Sequence, residues 1–317
     1  YEDNKGVNLK DKQIKSLFKL SDEWIVVITN KEIISINVKD NSYNYKTIKE
    51  GYYSEITYVY DDGNNVWITN KNNFYSYNIK SGEKTYYTEE LNHMNINPGA
   101  FKYILPDNKD KNILWLGGAD TGLIKFHKEK GVIKQYINNP LDETSLINNY
   151  INCMAFDSFG NLWVGTNIGI SKFDIKTNEF ISYTTSDGLT NNFINSIVLD
   201  KNNDIWISTN KGLNKFDTEK EIFSGFTKID GIYGYQFNLN SSIELDNGML
   251  MFGSTNGCTY FNPDDITITS SKKNKVVIGD IYIGKDIGIY DGKELVLEHD
   301  YKDLSIEFFL PKYDSLN

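Results

Sequence analysis

Hydrophobic residues in this chain come in runs of about five, separated by short polar turns. In residues 193–226 the runs are FINSIVL, IWIST, LNKF and IFSGF, and the turns between them are DKNND, NKG and DTEKE. Short runs rich in Ile, Phe and Trp, bounded by Asn, Asp and Gly, are typical of β-strands joined by tight turns. We therefore predict four antiparallel strands in this segment and no helix of useful length.

This unit recurs along most of the chain. Its most recognisable part is a large hydrophobic residue, then an aliphatic residue, a small residue and Thr-Asn, followed by Gly and another aliphatic residue. Six copies cover residues 1–265, anchored in order by Val27, Trp67, Trp115, Trp163, Trp206 and Met251. A repeat of roughly 40–50 residues with four strands is typical of a β-propeller blade. We predict an all-β protein, a β-propeller of about six four-stranded blades or part of a seven-bladed ring.

Packing between blades explains why the repeat keeps certain residues. A lone four-stranded sheet cannot bury both of its faces, so blades pack against one another. We expect each Trp, on the second strand of its unit, to fill the space to the next blade. A Gly that follows Thr-Asn suits a tight turn with positive φ. The residues that we interpret as structural on these grounds are Trp67, Trp115, Trp163, Trp206, Gly169, Gly212 and Gly257.

The last segment of the chain has a different pattern. From Lys275 the Trp motif is absent, while alternating hydrophobic and polar positions continue, with a turn at Asp291-Gly292. The pattern predicts the beginning of an immunoglobulin-like β-sandwich, which in full takes about 100 residues. We therefore divide the chain into a propeller at 1–270 and a partial sandwich at 271–317. Unpaired strand edges are adhesive, so we expect this module to dock on the propeller or to form a homodimer.

Several segments resemble a known family. LWVGTNIGISKFD, DGLTNNFINSI and the degenerate last unit, YGYQFNLNSSIELDNGMLMFGSTNGCTYFNPDDI, resemble the two-component regulator propeller repeat. The tail, with VVIGDIYIG and LVLEHDYKDLSIEFFLPKYD, resembles the first part of the Tyr-Tyr-Tyr domain, an immunoglobulin-like module that follows such propellers. Six copies in register that end in this tail make the resemblance specific.

The resemblance implies a sensor. Members of this family are bacterial membrane-anchored proteins whose propellers face outward. Their sandwich leads to a transmembrane helix and then to a histidine kinase or other output domain. Several of them respond to carbohydrates. For this chain, the resemblance implies an extracellular, ligand-sensing, non-catalytic domain at the outer face of the cytoplasmic membrane. Two alternatives stay open: a secreted propeller enzyme that acts on glycans, and a scaffold for protein partners. The chain starts at Tyr1 instead of Met, so we expect a piece of a longer protein.

Charge narrows the class of ligand. The net charge is −10, and all 33 basic residues are Lys because the sequence contains no Arg. A chain with a negative field and without the bidentate Arg side chain is poorly suited to a phosphate backbone, so we expect no nucleic-acid partner. The same field favours a neutral or cationic small molecule, foremost an oligosaccharide.

Signatures of catalysis are missing from the sequence. His93, His127 and His299 fall in separate modules, and the nucleophile-elbow, zinc-protease and phosphate-loop motifs do not occur. The Asp-rich turn at 200–204 has Ile205 where a calcium-binding loop requires Gly. We predict no catalytic residue, no metal and no cofactor, and ordinary hairpin turns at these Asp residues.

The loops that lead into the innermost strands are the candidate ligand site. The loops at 145–152, 188–195 and 234–240 each place amides beside an aromatic ring. Amides hydrogen-bond hydroxyl groups, and rings stack on the apolar faces of sugars. The candidate residues are Asn148, Asn149, Tyr150, Asn191, Asn192, Phe193, Gln236, Phe237 and Asn238. The alternative is structural, since Asn is common throughout the chain and each ring could simply begin an inner strand.

Overall fold

The computed structural model divides the chain into two units, Tyr1–Asp265 and Ile266–Asn317. It describes residues 14–19, 24–29, 32–37, 39, 43–47, 56–63, 65–78, 81–227, 230–232, 236–266, 277–283, 286–288 and 304–309. The predicted boundary between residues 270 and 271 lies outside the described residues.

Five four-stranded antiparallel sheets follow one another in the first unit, each a meander in chain order. We call them blades 1 to 5. Blades 1 to 3 consist of β1 (Ile14–Lys19), β2 (Trp24–Thr29), β3 (Glu32–Asn37), β4 (Tyr43–Thr47), β5 (Ile56–Asp61), β6 (Asn65–Asn70), β7 (Phe74–Asn78), β8 (Lys84–Tyr86), β9 (Phe101–Pro106), β10 (Ile113–Gly118), β11 (Leu123–His127) and β12 (Gly131–Tyr136). Blades 4 and 5 consist of β13 (Ile151–Phe156), β14 (Leu162–Thr166), β15 (Ile170–Asp174), β16 (Glu179–Tyr183), β17 (Ile194–Leu199), β18 (Ile205–Thr209), β19 (Gly212–Asp217) and β20 (Ile222–Phe226).

The sixth unit departs from the prediction. β21 (Phe237–Glu244), β22 (Leu250–Ser254) and β23 (Gly257–Phe261) form a sheet of three strands, so the expected four strands are found in five of the six units that the structure describes. In blade 4 the side chain of Asp174 accepts the backbone N–H of Lys176 and closes the turn into the fourth strand. After β23 the described residues continue through a 3-10 turn at Pro263–Asp265 in which the proline is buried, and residues 267–276, where a fourth strand would follow, lie outside the described residues.

The first strand of each blade lies innermost. β1 lies next to β5, β5 next to β9, β9 next to β13, β13 next to β17, and β17 next to β21. Adjacent innermost strands, from which each meander extends outward, are the arrangement of a β-propeller. The predicted all-β propeller is confirmed, with five four-stranded blades among the described residues in place of the predicted six, and residues 193–226 contain the four strands that their pattern predicts.

The buried Trp side chains join neighbouring blades, as predicted. Trp163 is fully buried, and its ring lies 5.0 Å from that of Phe216 in blade 5 and stacks on Tyr183 of its own blade at 5.9 Å between centroids. Equivalent pairs across blade boundaries are Trp67–Phe126, Trp115–Phe173 and Trp206–Phe261. A ring of this size buries about 150–250 Å², worth roughly 4–6 kcal/mol as an upper estimate. The hydrophobic core therefore lies between the blades.

The Asp-rich turns hold these Trp side chains in place. Trp206 Nε1 donates a hydrogen bond to Oδ2 of the buried Asp200 over 2.8 Å. The same pairing occurs in three other blades, as Trp67–Asp62, Trp115–Asp107 and Trp163–Asp157. The turns are hairpin turns, as predicted, and their carboxylates have a structural role that the sequence did not indicate.

The predicted glycine turns are also confirmed. Gly169, Gly212 and Gly257 have φ of 155°, 117° and 137°, which side chains rarely adopt. In the same turn of blade 5, Thr209 Oγ1 donates to the carbonyl oxygen of Gly212 over 3.0 Å. A short hydroxyl bond and a positive φ together reverse the chain between the second and third strands.

Helical structure is scarce in the residues that the structure describes. The helix α1 (Thr88–His93) lies between blades 2 and 3. No helix formed by the described residues is long and apolar enough to cross a membrane.

The second unit is described in part. β24 (Val277–Ile283), β25 (Asp286–Gly288) and β26 (Leu304–Phe309) form one antiparallel sheet in the order β25-β24-β26. The turn predicted at Asp291-Gly292 lies outside the described residues. The immunoglobulin-like sandwich stays a prediction.

Candidate functional site

The loops before the inner strands lie at the same end of the propeller as the turns between second and third strands. Asn152, at the start of β13, donates from Nδ2 to Oδ1 of Asn167 in the β14–β15 turn over 3.0 Å. Asn195 makes the same bond to Asn210 in blade 5, over 2.9 Å. We call this end of the propeller, with the loops 145–150 and 188–193, the loop face.

In blade 4 the two loop amides organise the backbone. Asn148 Oδ1 accepts the backbone N–H of Tyr150 over 2.8 Å. Asn149 Oδ1 accepts the backbone N–H of Asn138, which follows blade 3, over 2.6 Å. The backbone N–H of Gly122, in the β10–β11 turn, donates to the carbonyl oxygen of Asn149 over 3.0 Å. This loop is therefore bonded both to itself and to the preceding blade.

Blade 5 repeats the arrangement. Asn191 Oδ1 accepts the backbone N–H of Phe193 over 3.0 Å, and Asn192 Oδ1 accepts that of Thr185 over 2.7 Å. An amide whose oxygen accepts from a backbone N–H presents its NH₂ group elsewhere. The Nδ2 atoms of all four loop asparagines donate no hydrogen bond to a described residue. The side-chain oxygens of these asparagines therefore have a structural role in the loops, while their NH₂ groups remain donors for a ligand.

Two of the three predicted aromatic rings belong to the loop face. Tyr150 and Phe193 are half-buried, at equivalent positions directly before β13 and β17. Neither stacks on another aromatic ring among the residues whose side chains are described. Both rings are thus held by their loops and keep part of their surface open.

Phe237 is a correction to the predicted site. Its backbone pairs with Ser254, as Ile151 pairs with Thr166 and Ile194 with Thr209. Phe237 is therefore the first residue of an inner strand, is 3% exposed and packs edge-on against Phe252. The position equivalent to Tyr150 is occupied by Gln236.

Gln236 and Asn238 continue the loop face on the three-stranded sheet β21–β23. Both side chains are exposed. The carbonyl oxygen of Gln236 accepts the backbone N–H of Thr255 over 3.2 Å, which ties this stretch to the β22–β23 turn. Their amides add further hydrogen-bond donors and acceptors next to blade 5.

Lys102 is a loop-face residue that sequence reasoning missed. It is the extra residue of a bulge in β9, the place that Asn152 takes in β13 and Asn195 in β17. Its ammonium group hydrogen-bonds the hydroxyl of Tyr150 and lies 4.3 Å from the centroid of that ring. Alignment of the stretch FKY at 101–103 with INC at 151–153 would have revealed it.

Asn152 connects blades 4 and 5 at the loop face. Its Nδ2 also donates to the carbonyl oxygen of Ile194, at the start of β17, over 2.9 Å. The residue is 2% exposed, and its Oδ1 accepts no hydrogen bond from the described residues. A hydroxyl group or a water molecule is the kind of donor that such a buried oxygen requires.

Catalytic and metal-binding groups do not cluster in the described part of the chain. His93 is exposed at the end of α1, Nδ1 of His127 accepts the backbone N–H of Glu129 over 3.1 Å, and His299 lies outside the described residues. No group of three or more His, Cys, Asp or Glu side chains among the described residues is close enough to hold a metal ion.

Two adjacent blades match a known family. Residues 145–167 and 188–211, which hold the loop and the first two strands of blades 4 and 5, match the family described as two component regulator propeller. Blades 4 and 5 therefore each contain a segment similar to the two-component regulator propeller repeat. Both repeats include a ring of the loop face, Tyr150 or Phe193, and a Trp that joins blades, Trp163 or Trp206.

Proteins that this chain resembles include signalling proteins and, in fold alone, an enzyme. Histidine kinase P4 of Formosa agariphila is 25% identical over 116 residues, which cover 36% of this chain and 8% of that protein. The extracellular domain of BT3049 from B. thetaiotaomicron, assigned as a hybrid two-component system, has a TM-score of 0.62 and 20% identity over 95% of this chain and 47% of that one. Virginiamycin B lyase from Staphylococcus aureus, crystallised as a catalytically inactive variant with quinupristin, has a TM-score of 0.61 and 15% identity over 82% of this chain and 85% of that one.

These likenesses establish the fold, and the chain spans less than half of either signalling protein.

Proposed function

We propose that this chain is the ligand-sensing part of the extracellular domain of a membrane-anchored two-component signalling protein. It binds an oligosaccharide on the loop face and does not catalyse a reaction. The observation that carries the proposal is that the two matched repeats are adjacent blades, whose loops place Tyr150 and Phe193 on the same face.

The chemistry of the face suits a sugar. The half-buried rings of Tyr150 and Phe193 can stack on apolar sugar faces, and their positions are fixed by the bonds of Asn148 and Asn191. A pre-ordered site loses little conformational entropy on binding. The free amide NH₂ groups of the loops donate to hydroxyl and ring oxygens.

Binding without cleavage fits the carboxylates of this face. Asp142, Asp187 and Asp230 are exposed, and each accepts hydrogen bonds from a nearby Thr in its own turn. A glycosidase needs two carboxylic groups across the scissile bond, one of them with a raised pKa. Glu143, the other carboxylate of these loops, is exposed as well.

Links between blades offer a route from ligand to signal. The Asn149–Gly122 bond joins blade 4 to blade 3, and the Asn152–Ile194 bond joins it to blade 5. A ligand that touches the loops at 145–150 and 188–193 therefore acts on three blades at once. A sensor requires a ligand that binds two arrangements of its domain with different affinity.

The test is calorimetric titration of the full chain with a panel of oligosaccharides. We expect Tyr150→Ala and Phe193→Ala to weaken the binding of a hit roughly three- to tenfold each, the loss of one stacking contact. Phe159→Ala is the matched control, because Phe159 is 67% exposed at the hairpin tip at the opposite end of blade 4. In the whole parent protein the same two substitutions should reduce ligand-dependent output.

Other results would favour the alternatives. Shortening of the oligosaccharide during incubation, detected by mass spectrometry, would favour a glycan-active enzyme. Equal affinity of Tyr150→Ala, Phe193→Ala and Phe159→Ala would place the site elsewhere. No binding to any member of the panel would favour a scaffold for protein partners.

A further inference from the structure

Lys102 is a half-buried cation at the loop face without an acidic partner. Among the described residues, no carboxylate lies within 4.0 Å of its ammonium group. Its neighbour is the neutral hydroxyl of Tyr150. An ammonium group that loses part of its hydration gains from any anion brought next to it, since screening is weaker away from bulk water.

The other half-buried lysines with described contacts have a structural explanation. Lys128 pairs with Asp62 at 2.6 Å, Lys215 with Asp204 at 2.7 Å and Lys172 with Glu221 at 3.7 Å. Lys125 lies 5.4 Å from the ring centroid of Trp115 in its own blade, as Lys172 and Lys215 lie over Trp163 and Trp206. Lys102 also lies over a ring, 4.3 Å from the centroid of Tyr150, but this ring belongs to the loop face of the next blade and not to a Trp of its own blade.

Lys102 is accompanied by hydrogen-bond donors. Asn148 and Asn149, in the loop that also carries Tyr150, use their oxygens for backbone N–H groups and leave their NH₂ groups as donors. These NH₂ groups belong to the loop whose Tyr150 contacts Lys102, and amide N–H donors together with an ammonium group favour oxygen atoms that carry negative charge.

We propose that Lys102, with Tyr150 and the amide nitrogens of Asn148 and Asn149, binds an anionic group of the ligand. On the proposed function, on which this inference rests, the ligand is an acidic saccharide that carries a carboxylate or a sulfate. Lys102 supplies the charge, the amides supply directional bonds, and the Tyr150 ring contacts the sugar to which the anion is attached.

The net charge of −10 does not oppose this assignment. The acidic residues of the same face, Asp120, Asp142, Glu143 and Asp187, are exposed. Exposed charges are screened by salt, while a half-buried cation is screened less. The electrostatic field at a bound group is set mainly by its nearest neighbours. We therefore replace the expectation of a neutral or cationic ligand, which was drawn from the net charge, by that of an anionic group beside Lys102.

The test compares three oligosaccharides of equal length, uncharged, uronate-bearing and sulfate-bearing, by titration calorimetry against the full chain. We expect wild type to prefer one of the two acidic ligands over the uncharged one. Lys102→Met keeps the aliphatic stem and removes the charge; it should weaken the binding of the acidic ligand roughly ten- to a hundredfold and that of the uncharged ligand much less. Lys102→Arg should retain the preference for the acidic ligand. Added salt should lower the affinity for the acidic ligand in wild type and Lys102→Arg, but not in Lys102→Met.

Lys125→Met is the matched control, since Lys125 is also half-buried beside an aromatic ring and lies within β11 away from the loop face. Thermal unfolding of each variant checks that the fold is intact. Equal affinity of the acidic ligand for Lys102→Met and Lys125→Met, or a wild-type preference for the uncharged ligand, overturns the anion site but leaves the proposed function standing. Failure of all three ligands to bind wild type is instead a failure of the proposed function.

Discussion

The indole N–H of Trp163 donates to Asp157 Oδ2 over 3.0 Å, and both side chains are buried. The same carboxylate accepts the backbone N–H of Asn161 over 2.8 Å and its side-chain NH₂ over 2.9 Å. One Asp therefore closes the hairpin turn at one end of the blade and fixes the ring that contacts Phe216 in the next blade. The Trp163–Asp157 hydrogen bond therefore couples the conformation of the hairpin turn to the packing between blades 4 and 5.

Replacing this carboxylate should destabilise the protein. Asp157→Ala leaves three donors without their acceptor, one of them the buried indole N–H, and we expect a loss of about 2–4 kcal/mol in the free energy of unfolding. Urea unfolding followed by Trp fluorescence measures it. Asp110→Ala is the control, because Asp110 is exposed in the hairpin turn of blade 3 and should change stability by less than about 0.5 kcal/mol. Equal effects of the two substitutions would contradict the role of the Trp–Asp pair.

The turn glycines allow a second test. At Gly212, φ is 117° and a Cβ atom would lie 2.2 Å from the carbonyl oxygen of Phe226, a backbone atom that cannot move aside. Gly63 also has a positive φ, of 86°, but a Cβ atom there meets nothing within 4 Å. Gly63→Ala should therefore cost only the left-handed backbone strain of about 1–2 kcal/mol, and Gly212→Ala distinctly more. Thermal unfolding of the two variants compares them; a larger effect at Gly63 would show that strain, not contact, governs these turns.

Much of the fold could be predicted because its signals are local. A run such as IWIST specifies a strand by itself, and Trp206 and Gly212 mark the second strand and the turn after it. Four strands that cannot bury both faces then require neighbours, which leads to a propeller. The 3-10 turn at Pro263–Asp265 after β23 was not foreseen, because the sequence there has no repeat motif that marks it.

The site was less predictable because it depends on register and on contacts between blades. Phe237 looks like Phe193 in composition, yet its pairing with Ser254 makes it equivalent to the buried Ile194. Lys102 is nearly fifty residues from Tyr150 in the chain and meets it only because blades 3 and 4 are adjacent. Local patterns carry no information on either relationship.

The two cysteines should differ in reactivity. Their positions in predicted strands suggest two buried thiols, but the structure buries Cys153 and exposes Cys258, both of them free. Burial also raises the pKa of the Cys153 thiol, so that its reactive thiolate is scarce at neutral pH. We expect iodoacetamide to label Cys258 in the native protein and Cys153 only after denaturation, as measured by peptide mass spectrometry. Rapid native labelling of Cys153 would mean that the interface between blades 4 and 5 opens readily.

Two tyrosines on neighbouring inner strands should make stability fall at high pH. Tyr58 on β5 and Tyr103 on β9 lie 5.0 Å apart between ring centroids; burial raises the pKa of Tyr58 to about 12 and that of Tyr103 well above its usual value. A raised pKa in the folded state favours the neutral phenol, so this contribution is complete below about pH 10, the unfolded value, and is lost as pH rises towards the folded value. The stability difference between wild type and Tyr58→Phe should therefore be constant below about pH 10 and move against wild type by roughly 2 kcal/mol by about pH 12. Urea unfolding at a series of pH values measures it, with Tyr260→Phe as control because that ring is 62% exposed. Parallel pH profiles for the two variants would show that burial of Tyr58 does not govern alkaline unfolding.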